Sequence, residues 1–182
     1  MRVRYHSFHF AGIEEYNEKH EEIDHLLFQS FGGMRNYAFL QAVEEAANNA
    51  VAHMPPGNRI RGFDIFVRVM AVNVAVTVQS ASMPFDARAY QSRLMELAES
   101  KEEAWMQPIL YEEKQLCPHM GLWTILMGSD YVYMEEDGQS VTLVKWIFPE
   151  EEICQEIGIL ARRFFVRNKD GCLLSGKARE VL

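Results

Sequence analysis

Three cysteines in 182 residues, Cys117, Cys154 and Cys172, are too few, too far apart and the wrong number for a disulfide or zinc framework. Basic residues are also short: 18 Lys and Arg stand against 26 Asp and Glu, a net charge of -8. A general DNA- or RNA-binding surface needs a basic footprint, so this balance excludes one. Arg162, Arg163 and Arg167 form a local basic cluster, for which a solvated face is sufficient explanation. No apolar run approaches the length of a membrane span, and Arg2-Val3-Arg4-Tyr5-His6 leads into no signal-peptide core. Internal repeats and low-complexity segments are missing as well. The expected setting is a reducing cytoplasm.

What the chain does have is ordinary globular material. An apolar content of 48% and a charged content of 24% over this length suit one domain with a proper core, plus an appendage at most. Residues 5–10 alternate enough for a first strand. Residues 13–31 read as a charged amphipathic helix stopped by Gly32-Gly33. A second helix is expected over 35–54, with Tyr37, Leu40, Val43, Ala47, Val51 and Met54 as its buried stripe and Pro55-Pro56-Gly57-Asn58 as its end.

Alternation at Phe63, Ile65, Val67 and Val69, then at Val72, Val74, Val76 and Val78, predicts an antiparallel hairpin turning near 71–73. A helix over 90–106 and a loop or lid over 108–118 follow. A short helix over 121–127 leads to a strand at 131–134, a turn at Glu136-Asp137-Gly138 and a return strand over 141–147. The order predicts an α/β two-layer sandwich, with helices on one face of a mixed, mostly antiparallel sheet. Phe148-Pro149 is the expected boundary between a domain at 1–148 and an extension at 149–182. That extension reads as a helix over 150–157, then a hairpin of strands at 159–166 and 172–174, packing on its own domain or on a partner.

Chemistry concentrates in the second helix, in Ala42-Val43-Glu44-Glu45-Ala46-Ala47-Asn48-Asn49-Ala50-Val51-Ala52-His53. Residues four apart on a helix project side by side, so Glu45 and Asn49 share one face, almost opposite the expected apolar stripe. A carboxylate can take a proton from an attacking hydroxyl, and a carboxamide oxygen is a neutral ligand for a hard cation. Two further segments matter. Gln79-Ser80-Ala81-Ser82-Met83-Pro84-Phe85-Asp86 closes the first hairpin, and His119-Met120-Gly121-Leu122-Trp123-Thr124-Ile125 opens the short helix.

Taken in order, these segments resemble the nucleotide motifs of the Bergerat-type ATPases, the superfamily of histidine kinases and Hsp90, and most of all its anti-sigma factor serine kinase branch. The likeness runs from the second helix to Lys145, and Asp130-Tyr131-Val132-Tyr133 with Gly138 to Lys145 resembles the family's closing hairpin. It implies Glu45 as general base, Asn49 as magnesium ligand and Gly121 behind the phosphates, with ATP and magnesium as cofactors. The family pattern departs at three places. Ser80 stands where an Asp accepts from the adenine amino group, Ser82 where a Gly lets backbone approach the ligand, and His119 where a Gly of the phosphate loop belongs.

The resemblance therefore implies a bacterial regulatory protein with a degraded ATP pocket. It would act by binding a protein partner, a sigma factor or an anti-sigma-antagonist-like protein, and would form a homodimer. The alternative is an active ATP- and magnesium-dependent serine/threonine kinase with an altered adenine contact. Metal and thiol chemistry elsewhere are weaker readings. His20 and His25 are five apart, which turns them away from each other on a helix, and His6 and His9 would face opposite sides of a strand. Cys117 and His119 lack an identifiable third group.

Overall fold

The structure is a computed structural model that describes residues 3–55, 61–99, 121–147 and 157–172. Its order is β1 (Arg4–Phe10), α1 (Ile13–Ser30), α2 (Tyr37–Ala52), β2 (Phe63–Val69), β3 (Asn73–Ser80) and α3 (Ala87–Glu99), followed by α4 (Gly121–Gly128), β4 (Tyr131–Glu135), β5 (Ser140–Trp146), α5 (Ile157–Arg163) and β6 (Phe164–Arg167). The six strands form one sheet in the order β1-β2-β3-β5-β4-β6. Every pairing is antiparallel except β4 with β6.

Strand alternation does what a period of two demands. Phe63, Ile65, Val67 and Val69 of β2 and Val74, Val76 and Val78 of β3 are buried on one face, where Val141, Leu143, Val132, Phe164 and Val166 join them. All five described helices feed the same cluster, through residues such as Leu27, Phe39, Leu94, Leu126 and Leu160. Helices thus cover one face of a mostly antiparallel sheet. Leu160 and Phe164 are fully buried, and side chains of that kind stabilise by about 2 kcal/mol each, so α5 and β6 are held to the common core.

The helix ends have identifiable causes. Gly32 and Gly33 adopt φ of 68° and 85°, and the Gly33 N–H donates to the Phe28 carbonyl at 2.9 Å, which closes α1 at the glycine pair. Asn36 caps α2, its side-chain oxygen accepting from the Phe39 N–H at 3.0 Å. Gly62, at φ 64°, passes so close to Phe10 that an added Cβ would lie 2.0 Å from the Phe10 carbonyl oxygen. No side chain fits there.

Three expectations change. The buried stripe of α2 is turned toward Phe39, Ala42, Ala46 and Ala50, while Tyr37 is 64% exposed. Val43, Ala47 and Met54 of the expected stripe are buried, and the added alanines fit because close packing of α2 between the sheet and α4 requires small residues. Helix α3 begins at Ala87 rather than 90, because the Asp86 carboxylate caps it by accepting from the Ala89 N–H at 2.9 Å. Residues 159–163, expected as strand, continue α5, and only Phe164–Arg167 is extended.

Cys172, expected to open a strand, is not extended into one. Residues 173–174 of that strand, the expected helix beyond 99, the loop at 108–118, the boundary at Phe148-Pro149 and the helix at 150–156 lie outside the described residues, as do Cys117, Cys154 and His119. Among the described residues, no helix is long and apolar enough to cross a membrane.

Candidate functional site

Helix α4 runs antiparallel to α2 and packs on the flank that carries Ala38, Ala42, Glu45 and Asn49. Its two glycines make this possible. At the far end, an added Cβ on Gly128 would lie 2.2 Å from the Ala38 carbonyl oxygen. At the near end, an added Cβ on Gly121 would lie 2.3 Å from Asn49 Nδ2, 2.8 Å from Asn49 Oδ1 and 2.9 Å from Glu45 Oε1. The structure thus brings together Glu45, Asn49 and Gly121. It does so by seating the first residue of α4 directly on the pair.

The electrostatics of that contact are favourable. The N-terminus of a helix carries partial positive charge, and Glu45 presents a carboxylate to it. Both Glu45 and Asn49 are half-buried, and among the described residues neither side chain has a hydrogen-bond partner. As donors to a metal they supply one carboxylate and one amide oxygen. Among the described residues, no group of three or more His, Cys, Asp or Glu is placed to hold a metal ion.

Ser80 ends β3, where its N–H donates to the Gln139 carbonyl at 3.0 Å. Ser82 is buried in the following turn, and its carbonyl accepts from Gln139 Nε2 at 2.9 Å. The next N–H, of Met83, donates to the His53 carbonyl at 2.8 Å. That bond ties the Ser82 turn to the end of α2 that carries Asn49. His53 itself caps the helix through its backbone, and its side chain is exposed.

The segment is clamped again two residues later. The Phe85 N–H donates to the Asp137 carbonyl at 2.8 Å, and Gly138, at φ 71°, lies so near that an added Cβ would stand 2.6 Å from the Phe85 Cβ. Asp137 fixes this turn. Burial alone would raise its carboxyl, but the Gln139 N–H at 3.1 Å and the Lys169 ammonium at 3.0 Å outweigh it and hold Asp137 below the usual carboxylate range.

One polar pair was not foreseen in the sequence. Lys145 Nζ lies 2.9 Å from Asp130 Oδ1, with 17% and 8% of the two side chains exposed, and Asp130 Oδ2 accepts from the Trp146 N–H at 2.7 Å. Both residues were noticed as parts of a hairpin. The signal that pairs them is the register, because Tyr131 opposite Val144 places Asp130 beside Lys145.

The histidine pairs are separated. His20 Nδ1 lies 2.9 Å from the Asn17 carbonyl oxygen, whereas His25 bonds Gln29 at 2.8 Å. His6 faces the helix side of β1, and His9 on the other side meets Asp64 at 2.8 Å.

No protein-family model matches the chain, and no curated protein matches its sequence.

Proposed function

We propose that this protein is a regulatory binding module of the anti-sigma kinase type, with a nucleotide pocket too altered to hold ATP and magnesium. The observation that carries this is the seat of Gly121 on Glu45 and Asn49. A magnesium ion sits about 2.1 Å from each ligand oxygen, and a phosphate must then fit beyond it. The start of α4 packed against the amide and carboxylate takes up room on the side of the pair that such a layer would need. The substitutions at Ser80 and Ser82 point the same way, since a hydroxyl replaces the expected adenine acceptor and the second position has a side chain. Its Bergerat-type fold is supported by the element order: a strand, two helices, a hairpin, helices, then a closing hairpin.

Function then resides in contacts with a protein, a sigma factor or an anti-sigma-antagonist-like regulator, made by a homodimer in the cytoplasm. An ATP- and magnesium-dependent serine/threonine kinase is the second reading. It is favoured by the convergence of Glu45 and Asn49 without other partners, and it requires the start of α4 to withdraw. Affinity capture on the immobilised protein, with and without ATP and magnesium, separates the two. A partner retained equally in both conditions and never phosphorylated is expected. Release or phosphorylation of the partner on adding ATP would establish the kinase instead.

A further inference from the structure

The opposite flank of α2 forms a second, unrelated feature. Between the later half of α1 and the first half of α2 runs a groove of about 880 Å³. Its floor is apolar, formed by the buried Leu27 and Phe31. One end carries three large side chains that face water, Phe28 at 38% exposure, Met34 at 54% and Tyr37 at 64%. Scattered apolar residues need no explanation, but three around one groove mark a contact surface.

The rest of the rim is acidic. Glu21, Glu22, Asp24 and Glu44 line it, against the single guanidinium of Arg35 and the imidazoles of His20 and His25. Among the described residues, Asp24 and Glu44 neither accept a hydrogen bond nor form an ion pair, although His20 and Arg35 stand near Asp24. Burial raises the Asp24 carboxyl above its usual range; His20 and Arg35 oppose the rise, and Glu44 and Glu21 add to it. At Asp24 the nearby His20 and Arg35 work against Glu44 and Glu21, yet four carboxylates line the rim against one guanidinium. A cation supplied from outside offsets that excess of negative charge.

We infer that the α1–α2 groove docks a basic amphipathic helix from a partner protein. The groove runs along α1 from His20 to the capping residue Phe31, about 16 Å at 1.5 Å per residue, which matches three turns of a third helix laid into the ridge between two others. Large apolar residues on its inner stripe meet Phe28, Met34 and Tyr37, and lysine or arginine on its flank meets Asp24 and Glu44. This is the helix-in-groove mode of recognition. Phosphate-bearing partners are repelled by the same rim. The inference stands whether or not the nucleotide reading does, because the groove shares neither Glu45 nor Asn49.

The test uses a fluorescein-labelled peptide of leucine and lysine in helical spacing, about 14 residues long to give nearly four turns. Its control replaces every lysine with glutamate. Anisotropy at physiological salt should show saturable binding of the basic peptide and none of the acidic one. Glu21→Lys with Glu44→Lys should weaken binding about tenfold or more. Reversal of two carboxylates elsewhere, Glu96→Lys with Glu99→Lys on α3, should leave it within about twofold, since those charges lie outside the groove. Met34→Ala with Tyr37→Ala, both at exposed positions and checked for folding by circular dichroism, should weaken it as well. Equal weakening by the two charge reversals, indifference to the Met34 and Tyr37 changes, or no saturable binding at all would overturn the inference.

Discussion

The two ends of α2 treat polar groups in opposite ways. Where α2 begins and β5 finishes, the Asp130 carboxylate uses both oxygens, one on the Lys145 ammonium and one on the Trp146 N–H. Where α2 ends, Glu45 and Asn49 have no hydrogen-bond partner among the described residues, and Gly121 sits so close that an added Cβ would collide with both. The first arrangement is complete and locks a hairpin to the core. The second brings chemistry-bearing groups together and then covers them with backbone. A polar pair kept close to water but unengaged adds little to stability, whereas a buried engaged pair cannot lose one member cheaply.

Substitutions should separate the two ends sharply. Lys145→Met leaves Asp130 charged, buried and without its cation, and should cost about 3 kcal/mol of unfolding free energy in a denaturant titration. A loss under about 1 kcal/mol would mean that the pair behaves like a surface ion pair. Gly121→Ala forces a methyl into the Asn49 amide and should cost about 1–3 kcal/mol, less than backbone contact demands because the amide can turn aside. Asn49→Ala, by contrast, should stay within about 0.5 kcal/mol. A larger loss would show that Asn49 holds structure rather than standing unengaged.

Acid offers a milder probe of the turn beside the Ser82 segment. The Asp137 carboxyl is held below its unfolded value, so it contributes stability above the ordinary carboxylate range and loses it as pH falls through its folded value. Asp137→Asn should therefore lower the melting temperature near neutral pH, and the difference from wild type should vanish in strong acid. A difference that persists there would point to lost packing rather than lost charge.

Much of the fold was legible because the signals were local. Gly32-Gly33, Asp137-Gly138 and the alternating valines of β3 each dictate their own backbone. The stripe of α2 was legible at Val43, Ala47 and Met54 but not at Ala42, Ala46 and Ala50, whose small side chains let α4 and the sheet approach. The start of α3 was missed because Asp86 was treated as part of a motif and not as a cap. Residues 159–163 carry a short apolar run that suits helix or strand equally, and only packing against α3 and the parallel pairing of β6 with β4 decide it.

The candidate site divides the same way. Spacing alone placed Glu45 beside Asn49, and the glycine opening α4 was foreseen at 121. That Gly121 rests on the pair is a tertiary fact, set by the two-glycine packing of α4 on α2. The clamps on Ser80 and Ser82 run largely through backbone groups, which no residue pattern announces. The Asp130–Lys145 pair needed the register of the hairpin.

Calorimetric titration of the purified protein with ATP, with and without magnesium, tests the proposed loss of nucleotide binding without relying on any variant. A pocket covered by Gly121 and altered at Ser80 and Ser82 predicts no heat of binding up to millimolar nucleotide, with magnesium making no difference. Magnesium-dependent binding in the micromolar range, about 8 kcal/mol of binding free energy, would contradict it and make Glu45 and Asn49 working parts of a kinase.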